Sequence, residues 1–314
     1  MTSVPAFAPR RDEPVFARLA IIGIGLIGSS IARAAKELNL AGAIVLADRD
    51  AAVRQRAREL DLGHAIAETA AEAARDADHV ILCVPVGACG EVAAEIAAAL
   101  KPGAILSDVG SVKGSVVDAV SPLLPEGVSF VPAHPVAGTE NSGPDAGFPS
   151  LFLNRWCILT PPEGTDPAAI AKTRQFWEGM GALVEVMSAQ HHDLVLAVTS
   201  HLPHLIAYNI VGTAEDLEAV TQSEVIKFSA GGFRDFTRIA ASDPTMWRDV
   251  FLHNKEAVLE MLGRFNEDLA LLTRAIRYGD GETLHRHFTR TRAIRRGIVA
   301  LGQEKPETEK LRKD

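Results

Sequence analysis

Short apolar runs alternate with Ala-rich amphipathic segments along the first 188 residues of the chain. The strand-like runs lie at 18–22, 43–47, 79–84, 104–108, 128–131, 156–160 and 182–187. Runs that are apolar at nearly every position are typical of parallel strands, because helices cover both faces of such a sheet. The alternation therefore predicts an α/β fold with a Rossmann-type, doubly wound and mostly parallel sheet.

Beyond Ser188 the apolar positions follow a helical period, and no convincing strand pattern remains. The segment 191–211 is apolar on nearly every side, which predicts a helix buried on all faces. The segment 246–278 carries one long apolar stripe. Such a stripe exceeds what one small helical domain covers, so we expect a second copy of the chain to cover it in a homodimer.

These patterns predict four parts of the chain. Residues 1–15 form a loose leader, 16–188 an NAD-binding type of Rossmann domain, 189–303 an all-helical substrate and dimerisation domain, and 304–314 a charged tail. The leader holds three prolines and mixed charges without an apolar core segment, which is unlike a signal peptide.

Composition narrows the class of partners. The 314 residues carry a net charge of −8, and basic residues cluster only near the C-terminus, so we expect no nucleic-acid partner. The three cysteines form no Cys-x-x-Cys pair, which fits a reducing, cytoplasmic location. No uninterrupted apolar run reaches the ~18–20 residues of a membrane span, so we expect no membrane partner.

Gly23, Gly25 and Gly28 have G-x-G-x-x-G spacing between the first apolar run and a helical pattern. In a dinucleotide-binding fold the first glycine allows a tight turn, and the second lets the backbone approach a pyrophosphate. The third lets the helix pack closely on the strand. Leu26 and Ile27 open the helix, whose free N–H groups and positive dipole end point at the phosphates. The spacing predicts a dinucleotide site, with an ordinary glycine-rich turn as the alternative.

Asp48 ends the second apolar run, twenty residues after Gly28. A carboxylate at this position accepts hydrogen bonds from both ribose hydroxyls of NAD and repels a 2′-phosphate, so it predicts NAD as the cofactor. Arg49 keeps NADP as the alternative cofactor, since a guanidinium group at this position could bind the 2′-phosphate. Val84 and Pro85 end a further strand, and strand ends lie beside the cofactor in this architecture.

Two further strand ends carry candidate catalytic groups. Asp108 and Ser111 follow one strand and open a helix, so we expect polar groups there to face the nicotinamide, with a helix N-cap as the alternative for Ser111. His134 follows another strand and stands between two prolines. An imidazole titrates near neutrality and can accept the proton of a hydroxyl group whose carbon atom loses hydride. Glu140 could orient this imidazole. A histidine with no catalytic role is the alternative.

The helical half adds polar and positive groups. Ser200 and His204 interrupt its most apolar segment, and we expect a side chain there to contact the substrate. His201 and His204 have the spacing of a metal pair, but no third ligand is obvious, so we predict no metal site. Arg238 offers a guanidinium that fits a carboxylate bidentately, with Asp235 able to hold an arginine in place. A structural surface pair is the alternative.

Five segments, taken together and in order, resemble the prephenate/arogenate dehydrogenase family, and the bacterial cyclohexadienyl dehydrogenases in particular. The segments are G-I-G-L-I-G-S-S-I-A, S-D-V-G-S-V-K, A-H-P-V-A-G-T-E, T-S-H-L-P-H and G-G-F-R-D-F-T-R-I-A, and the resemblance covers roughly residues 18–275. It implies an NAD-dependent Rossmann domain and a helical dimerisation domain. It also implies an oxidative decarboxylation of prephenate or arogenate in tyrosine biosynthesis.

The resemblance implies catalytic roles for three residues. His134 is similar to the base that hydrogen-bonds the ring 4-hydroxyl group of the substrate. Ser111 is similar to the hydroxyl that orients that group and the nicotinamide, and Glu140 to the residue that tunes the histidine.

The resemblance also implies a substrate-binding set in the helical half. Arg238 resembles the arginine that binds a substrate carboxylate, and Asp235 and Trp247 shape the entrance of the site. Ser200 and His204 resemble the side chains that contact the substrate from the helical domain.

Two other functions stay open at this point. A β-hydroxyacid dehydrogenase also joins a Rossmann domain to a helical partner, but it uses a lysine base on a helix, and no lysine is well placed after Ser188. A non-catalytic NAD-sensing dimer would leave His134 and Ser111 without a purpose. The sequence does not distinguish a preference for prephenate from one for arogenate.

Overall fold

The computed structural model describes residues 9–139, 141–221 and 230–300. The strands of this part of the chain are β1 (Phe16–Ile22), β2 (Ala41–Ala47), β3 (Ala65–Ile66), β4 (His79–Leu82), β5 (Ile105–Asp108), β6 (Ser129–Phe130), β7 (Ala133–Pro135), β8 (Trp156–Leu159) and β9 (Leu183–Val186). Its helices are α1 (Leu26–Glu37), α2 (Ala51–Glu59), α3 (Ala70–Ala74), α4 (Cys89–Ile96), α5 (Gly114–Val120), α6 (Pro167–Gly179), α7 (Ala189–Leu196), α8 (Leu202–Thr221), α9 (Gly231–Thr237), α10 (Pro244–His253), α11 (Lys255–Tyr278) and α12 (Gly281–Ala300).

The first six strands form one parallel sheet in the order β3-β2-β1-β4-β5-β6. This order confirms the predicted Rossmann-type, doubly wound sheet. The order reverses between β1 and β4, which pair from Leu19 opposite His79 to Ile22 opposite Leu82. Ligands of such sheets bind beyond the carboxyl ends of the strands at this reversal. The loops after β1 and β4 therefore mark where a cofactor belongs.

The strands are apolar throughout because both faces of the sheet are buried. In β1, Leu19 and Ile21 belong to one core, and Ala20 and Ile22 belong to the other. The first core continues into α1 and α6, where Trp177 is fully buried. Successive side chains of a strand point to opposite faces, so one continuous apolar run supplies both cores.

The last three strands form a separate sheet in the order β7-β8-β9, with β7 antiparallel to β8. We predicted that 156–160 and 182–187 continue the parallel sheet, and this is wrong. The chain leaves the first sheet after Val131, whose N–H still donates to Leu106 O at 2.8 Å. Pro132 and Pro135 have no N–H to extend that pairing, and β7 pairs with β8 instead.

Helix α7 continues into α8 through a π-helical turn at Ala197–His201. We predicted a helix buried on all faces here, and this is wrong for the single chain, since Val198 is 47% exposed and Ile210 is 38% exposed. The stretch Ala189–Leu217 is long and apolar enough to cross a membrane by length and composition alone. Core helices of soluble proteins pass the same test, so one such helix is weak evidence for a membrane span.

Asn254 separates α10 from α11 and interrupts the predicted stripe of 246–278. Its buried side chain donates from Nδ2 to Asp193 O at 2.9 Å and lies 3.0 Å from Nδ1 of His201. Asn254 therefore ends α10 and also joins α10 to the α7–α8 segment.

The chain divides into two compact units, and the division falls between Val258 and Leu259 within α11. The first unit contains both sheets and the helices through α10. The second unit contains the rest of α11 and α12, and its exposed apolar side chains include Leu271 at 64% and Ile276 at 68%.

Candidate active site

Three glycines in different surroundings build the turn between β1 and α1. Gly23 has a φ of +97°, and a Cβ atom there would lie 2.3 Å from the carbonyl oxygen of Cys83. A Cβ at Gly28 would lie 2.0 Å from the carbonyl oxygen of Gly23. A Cβ at Gly25 would meet no described atom within 4 Å, and Gly25 is the N-cap of α1. The open space and the N–H groups of the first turn fit a pyrophosphate.

Leu26 and Ile27 are the first residues of α1. Both are half-buried and pack against the core on one side of the sheet. Their side chains therefore fix the position of the helix N-terminus, while their N–H groups belong to the turn that is free of intrahelical partners.

Asp48 directly follows β2 and supports the glycine turn. Its Oδ2 accepts the N–H of Ile24 at 2.8 Å, and its Oδ1 accepts the N–H of Asp50 at 2.9 Å. Each carboxylate oxygen retains a further acceptor position that suits a ribose hydroxyl. Arg49 is exposed beside it, and Arg54 donates to the carbonyl oxygens of Asp48 and Arg49 at 2.8 and 3.2 Å.

Val84 and Pro85 follow β4, the strand next to β1. Val84 is half-buried, and its Cγ1 lies 3.2 Å from the position of a Cβ at Gly23. Pro85 is exposed. Val86 then packs against a small apolar cluster that contains Trp247 of α10. The loop after β4 thus contacts both the glycine turn and the helical region.

Asp108 and Lys113 form a fully buried ion pair at the end of β5. Lys113 Nζ donates to Asp108 Oδ2 at 2.5 Å and to Ala133 O at 2.8 Å. Burial raises the pKa of the Asp108 carboxyl, and the neighbouring Lys113 ammonium opposes that rise. We predicted Asp108 at the cofactor surface, but its carboxylate lies in the interior. The carboxylate is stable in the interior because the Lys113 ammonium group, its ion-pair partner, is buried beside it.

Ser111 lies in the loop between β5 and α5 and is half-buried. Two residues later, Lys113 binds the carbonyl oxygen of Ala133, which precedes His134. The lysine therefore holds the Ser111 loop against β7, where the candidate base is located.

His134 is the central residue of β7 and is 7% exposed. Its Nδ1 lies 2.8 Å from Nε2 of His192, and Nδ1 of His192 lies 2.8 Å from Oδ1 of Asp193. The two imidazoles meet edge to face, with centroids 5.0 Å apart. A carboxylate and two histidines thus form one hydrogen-bonded chain that ends at β7, the edge strand of the second sheet.

Asp193 also joins α7 to the start of α5. Its Oδ1 accepts the N–H of Lys113 and its Oδ2 accepts the N–H of Gly114, both at 2.8 Å. A carboxylate at a helix N-terminus satisfies free N–H groups and complements the helix dipole. The same side chain therefore fixes both the Ser111 loop and His192.

The buried histidines are held neutral. Burial lowers the pKa of His134 well below its ordinary value of 6.5, and the charges of His192 and Lys113 act in the same direction. Burial also lowers the pKa of His192, although the hydrogen bond that His192 donates to the Asp193 carboxylate opposes this. Burial lowers the pKa of His201 to about 4. At neutral pH His134 is therefore an unprotonated base.

The structure brings together four of the predicted substrate-binding residues. His204 stacks on Trp247 with ring centroids 3.7 Å apart, and its Nδ1 lies 2.8 Å from the carbonyl oxygen of Ser200. Burial lowers the pKa of His204, and the nearby Arg238 guanidinium contributes in the same direction. Arg238 itself is exposed. A flat aromatic surface and a positive charge therefore lie side by side.

Two predicted residues are not part of this arrangement. Asp235 is exposed, and its Oδ1 lies 3.5 Å from Nε of Arg234 in a surface pair. Glu140 lies outside the residues that the structure describes. Their predicted roles stay predictions.

Sequence reasoning missed Lys113, His192 and Asp193. A lysine five residues after a strand-end aspartate was one available signal, since such a pair can be buried together. The adjacent polar residues His192 and Asp193 at the start of an apolar helical segment were another.

A doubly wound sheet, a glycine turn open to a phosphate and a neutral imidazole at the sheet rim define a nucleotide-dependent dehydrogenase. Residues 31–186 match the family model for the nucleotide-binding domain of prephenate dehydrogenase, and residues 188–290 match the model for its dimerization domain. The chain belongs to the prephenate dehydrogenase family.

Individual proteins support this membership. The chain is 48% identical over 281 residues to a cyclohexadienyl dehydrogenase of Zymomonas mobilis, with 90% of this chain and 96% of the relative covered. A crystal structure of Aquifex aeolicus prephenate dehydrogenase in complex with hydroxyphenyl propionate and NAD+ has a TM-score of 0.84 at 33% identity, covering 90% of this chain and 98% of that chain. Synechocystis arogenate dehydrogenase has a TM-score of 0.78 at 26% identity, covering 90% and 99%.

Proposed function

We propose that the chain catalyses the oxidative decarboxylation of prephenate or arogenate, giving 4-hydroxyphenylpyruvate or tyrosine. The observation that carries this proposal is the position of His134, a buried neutral imidazole at the sheet rim next to the Ser111 loop. NAD, when bound, accepts the hydride from the ring carbon that bears the hydroxyl group. The chain's own residues bind the reactants and manage the proton.

The glycine turn and Asp48 are the groups that would hold NAD. Gly25 leaves space for the pyrophosphate, and the Asp48 carboxylate suits the ribose hydroxyls and disfavours a 2′-phosphate. Val84 and Pro85 border the same space from the neighbouring strand. This arrangement supports NAD over NADP, although the exposed Arg49 lies beside it.

His134 takes the proton of the substrate 4-hydroxyl group as the ring carbon is oxidised. Ser111 orients that hydroxyl group, and Glu140 tunes the histidine. The ketone that forms is conjugated with the ring carboxylate, so loss of CO₂ gives an aromatic ring, and the phenolic oxygen recovers a proton. Positioning and proton transfer are therefore the chain's contribution.

The substrate side chain binds in the helical region. Arg238 pairs with a carboxylate, while the stacked rings of His204 and Trp247 form a flat wall. Ser200 contacts the substrate beside them, and Asp235 shapes the entrance. Lys113 does not serve as a base of the β-hydroxyacid dehydrogenase type, since Asp108 and Ala133 O engage its ammonium group.

We further propose a homodimer in the cytoplasm. Exposed apolar side chains of the second unit, among them Leu271 and Ile276, suit burial against a second copy. Light scattering of the purified chain tests this, and Ile276→Glu is expected to shift the mass from two copies toward one. The division into a Rossmann domain at 16–188 and a helical domain at 189–303, with a leader at 1–15 and a tail at 304–314, is part of the same proposal.

The activity assay follows reduction of NAD and of NADP with prephenate and with arogenate as separate substrates. We expect turnover with NAD and at least one of the two substrates, and loss of turnover in His134→Asn. A panel of small hydroxy acids is the comparison set. Turnover of a hydroxy acid without turnover of either cyclohexadienyl substrate would overturn the proposed function.

A further inference from the structure

We propose that His192 and Asp193 are positioning residues that fix the tautomer of His134 and form with it a proton relay, Asp193–His192–His134. The inference rests on the proposed function, in which His134 is the base. It adds two residues and a defined path for the proton.

Asp193 sets the direction of every hydrogen bond in the relay. Its carboxylate accepts the N–H groups of Lys113 and Gly114, and backbone N–H groups are donors only. Both carboxylate oxygens are therefore acceptors in this arrangement. The contact of 2.8 Å between Asp193 Oδ1 and His192 Nδ1 therefore requires a proton on Nδ1 of His192.

His192 passes this constraint to His134. A neutral imidazole carries one N–H, so a proton on Nδ1 of His192 leaves Nε2 as an acceptor. His134 Nδ1 lies 2.8 Å from that atom, and two lone pairs would repel at this distance. His134 Nδ1 therefore carries the proton and donates to His192, which is fully buried and has no solvent to offer an alternative.

The consequence is a free lone pair on Nε2 of His134. Among the described residues, the hydrogen bond of the His134 ring is the one from Nδ1 to His192. The tautomer that the relay imposes is the one that can accept a hydroxyl proton.

The relay also provides a place for the proton during turnover. The substrate hydroxyl proton moves to Nε2 of His134 as hydride leaves the ring carbon, and the Nδ1 proton of His134 moves to Nε2 of His192. His192 is then an imidazolium next to the Asp193 carboxylate. Loss of CO₂ breaks the ring–carboxyl bond, and its electron pair reaches the 4-oxygen. That oxygen regains a proton from His134, and His192 returns its own, so no net proton is taken up or released.

The charged groups that face the two imidazoles favour a state in which His134 and His192 are both neutral before the substrate is oxidised. Lys113 is cationic but neutralised by Asp108, and His201 is buried beside Asn254. Among the residues that the structure describes, Asp193 is the acidic group that hydrogen-bonds the imidazole pair. Burial keeps both relay histidines neutral until a proton arrives from the substrate, and the Asp193 carboxylate then stabilises the charge on His192.

Kinetics of His192→Gln provide the first test. We expect kcat to fall by roughly 10–100-fold, a part of the ~10²–10⁴-fold that a positioned base contributes. The KM for the substrate and the Kd for NAD are expected to stay within about twofold, because His192 contacts neither. The double variant His134→Asn/His192→Gln is expected to be no slower than His134→Asn alone, since His192 acts only through His134.

The matched control is His79→Gln, which removes another fully buried imidazole that hydrogen-bonds a side chain, Ser107 at 2.9 Å. We expect its kcat to match that of the unaltered enzyme. Multiplicative losses in the double variant, or an unchanged kcat in His192→Gln, would overturn the relay.

A second measurement does not depend on activity and reads the tautomer directly in the unaltered protein. The ¹⁵N chemical shifts of the imidazoles in the unaltered protein distinguish the Nδ1–H from the Nε2–H tautomer, with His134→Asn supplying the assignment. We expect Nδ1–H on both His134 and His192 at neutral pH, and Nε2–H on His134 would overturn the proposal. Failure to turn over cyclohexadienyl substrates would instead count against the proposed function and leave this spectroscopic result intact.

Discussion

A Cβ atom placed on Gly28 would lie 2.0 Å from the carbonyl oxygen of Gly23, so α1 begins in direct contact with the turn before it. At Gly25 the same placement meets no described atom within 4 Å. The two positions therefore need glycine for different reasons. Gly28 allows the helix to pack, whereas Gly25 keeps open the space into which a pyrophosphate fits.

Substitution at Gly25 is expected to separate cofactor binding from folding. Gly25→Ala adds a methyl group to the open space, so we expect the Kd for NAD to rise by about tenfold or more, ~1.4 kcal/mol, with an unchanged Tm. Calorimetry with NAD and a thermal melt check the two values. Gly28→Ala is the matched comparison and should lower the stability by ~1–3 kcal/mol through overpacking. A destabilised Gly25→Ala with normal affinity for NAD would contradict this interpretation.

His134→Asn removes the proposed base and retains a polar side chain of smaller size. We expect kcat to fall by ~10²–10⁴-fold, because a positioned proton acceptor contributes about that much. The Kd for NAD should be unchanged, since His134 lies in β7 and not in the glycine turn. Steady-state kinetics and fluorescence titration with NADH measure both. A near-normal kcat would remove His134 from its role.

Arg238→Ala is expected to act mainly on substrate binding. A charge-assisted hydrogen bond to a carboxylate contributes ~1.5–3 kcal/mol, so KM should rise by roughly 10–100-fold with a smaller change in kcat. Arg248→Ala is the control, because Arg248 is exposed on α10 and pairs with Asp249 at 2.7 Å. An unchanged KM in Arg238→Ala would place the carboxylate elsewhere.

Lys113→Met is expected to destabilise the fold strongly. The substitution leaves the buried Asp108 carboxylate without its partner, and breaking such a pair costs about 3–5 kcal/mol. Urea unfolding measures this value. The exposed pair of Lys36 and Asp61 is the control, and Lys36→Met should leave the midpoint unchanged because solvent screens that pair. Equal midpoints for the two variants would contradict the burial argument.

Stability is expected to fall as the pH drops below about 6.5. Burial lowers the pKa of His79 to about 3 and that of His201 to about 4, from an ordinary value of 6.5. Between the folded and unfolded pKa values the unfolded chain binds more protons. The stabilisation is therefore full above the unfolded pKa and is lost as the pH falls toward the folded pKa. Depressed carboxylates such as Asp78 act only at lower pH, below their ordinary pKa of 3.8.

Urea unfolding at about pH 7 and about pH 5 tests this dependence. His79→Gln removes one of the contributing histidines, so its midpoint should fall less between the two pH values than that of the unaltered protein. A midpoint that does not change with pH in the unaltered protein would contradict neutral burial of these histidines.

The first sheet could be predicted from patterns of neighbouring residues alone. The parallel strands are continuously apolar, and the glycine spacing needs only the residues between β1 and α1, so both features could be predicted from the sequence. The separate sheet of β7, β8 and β9 could not be predicted in this way. Its antiparallel pairing depends on where Pro132 turns the chain, and the apolar content of 156–160 is the same in either sheet.

The site residues also differ in whether nearby sequence was enough to predict them. The position of His134 after the apolar run 128–131 predicted a catalytic role, and in the structure His134 is the buried central residue of β7, the edge strand of the second sheet. The contact of His134 with His192 joins residues 58 positions apart, and the contact of Asp193 with Lys113 joins residues 80 apart. Such pairs depend on how α7 packs against α5 and β7. For Asp108 the position at a strand end gave a misleading prediction, because the sequence did not indicate that its carboxylate pairs with Lys113 in the interior.

The π-helical turn at Ala197–His201 holds one residue more than an α turn of the same helix would hold. The wider turn takes up the extra residue, so the helix before it and the helix after it keep nearly the same rotational phase. Deletion of one residue within 197–201 would therefore give a regular α-helix in which His192 and Asp193 keep their direction relative to His204. Ser200 lies within the turn itself, so a relative that is one residue shorter here is expected to differ in the position of that hydroxyl group and to retain the two residues that contact His134 and α5.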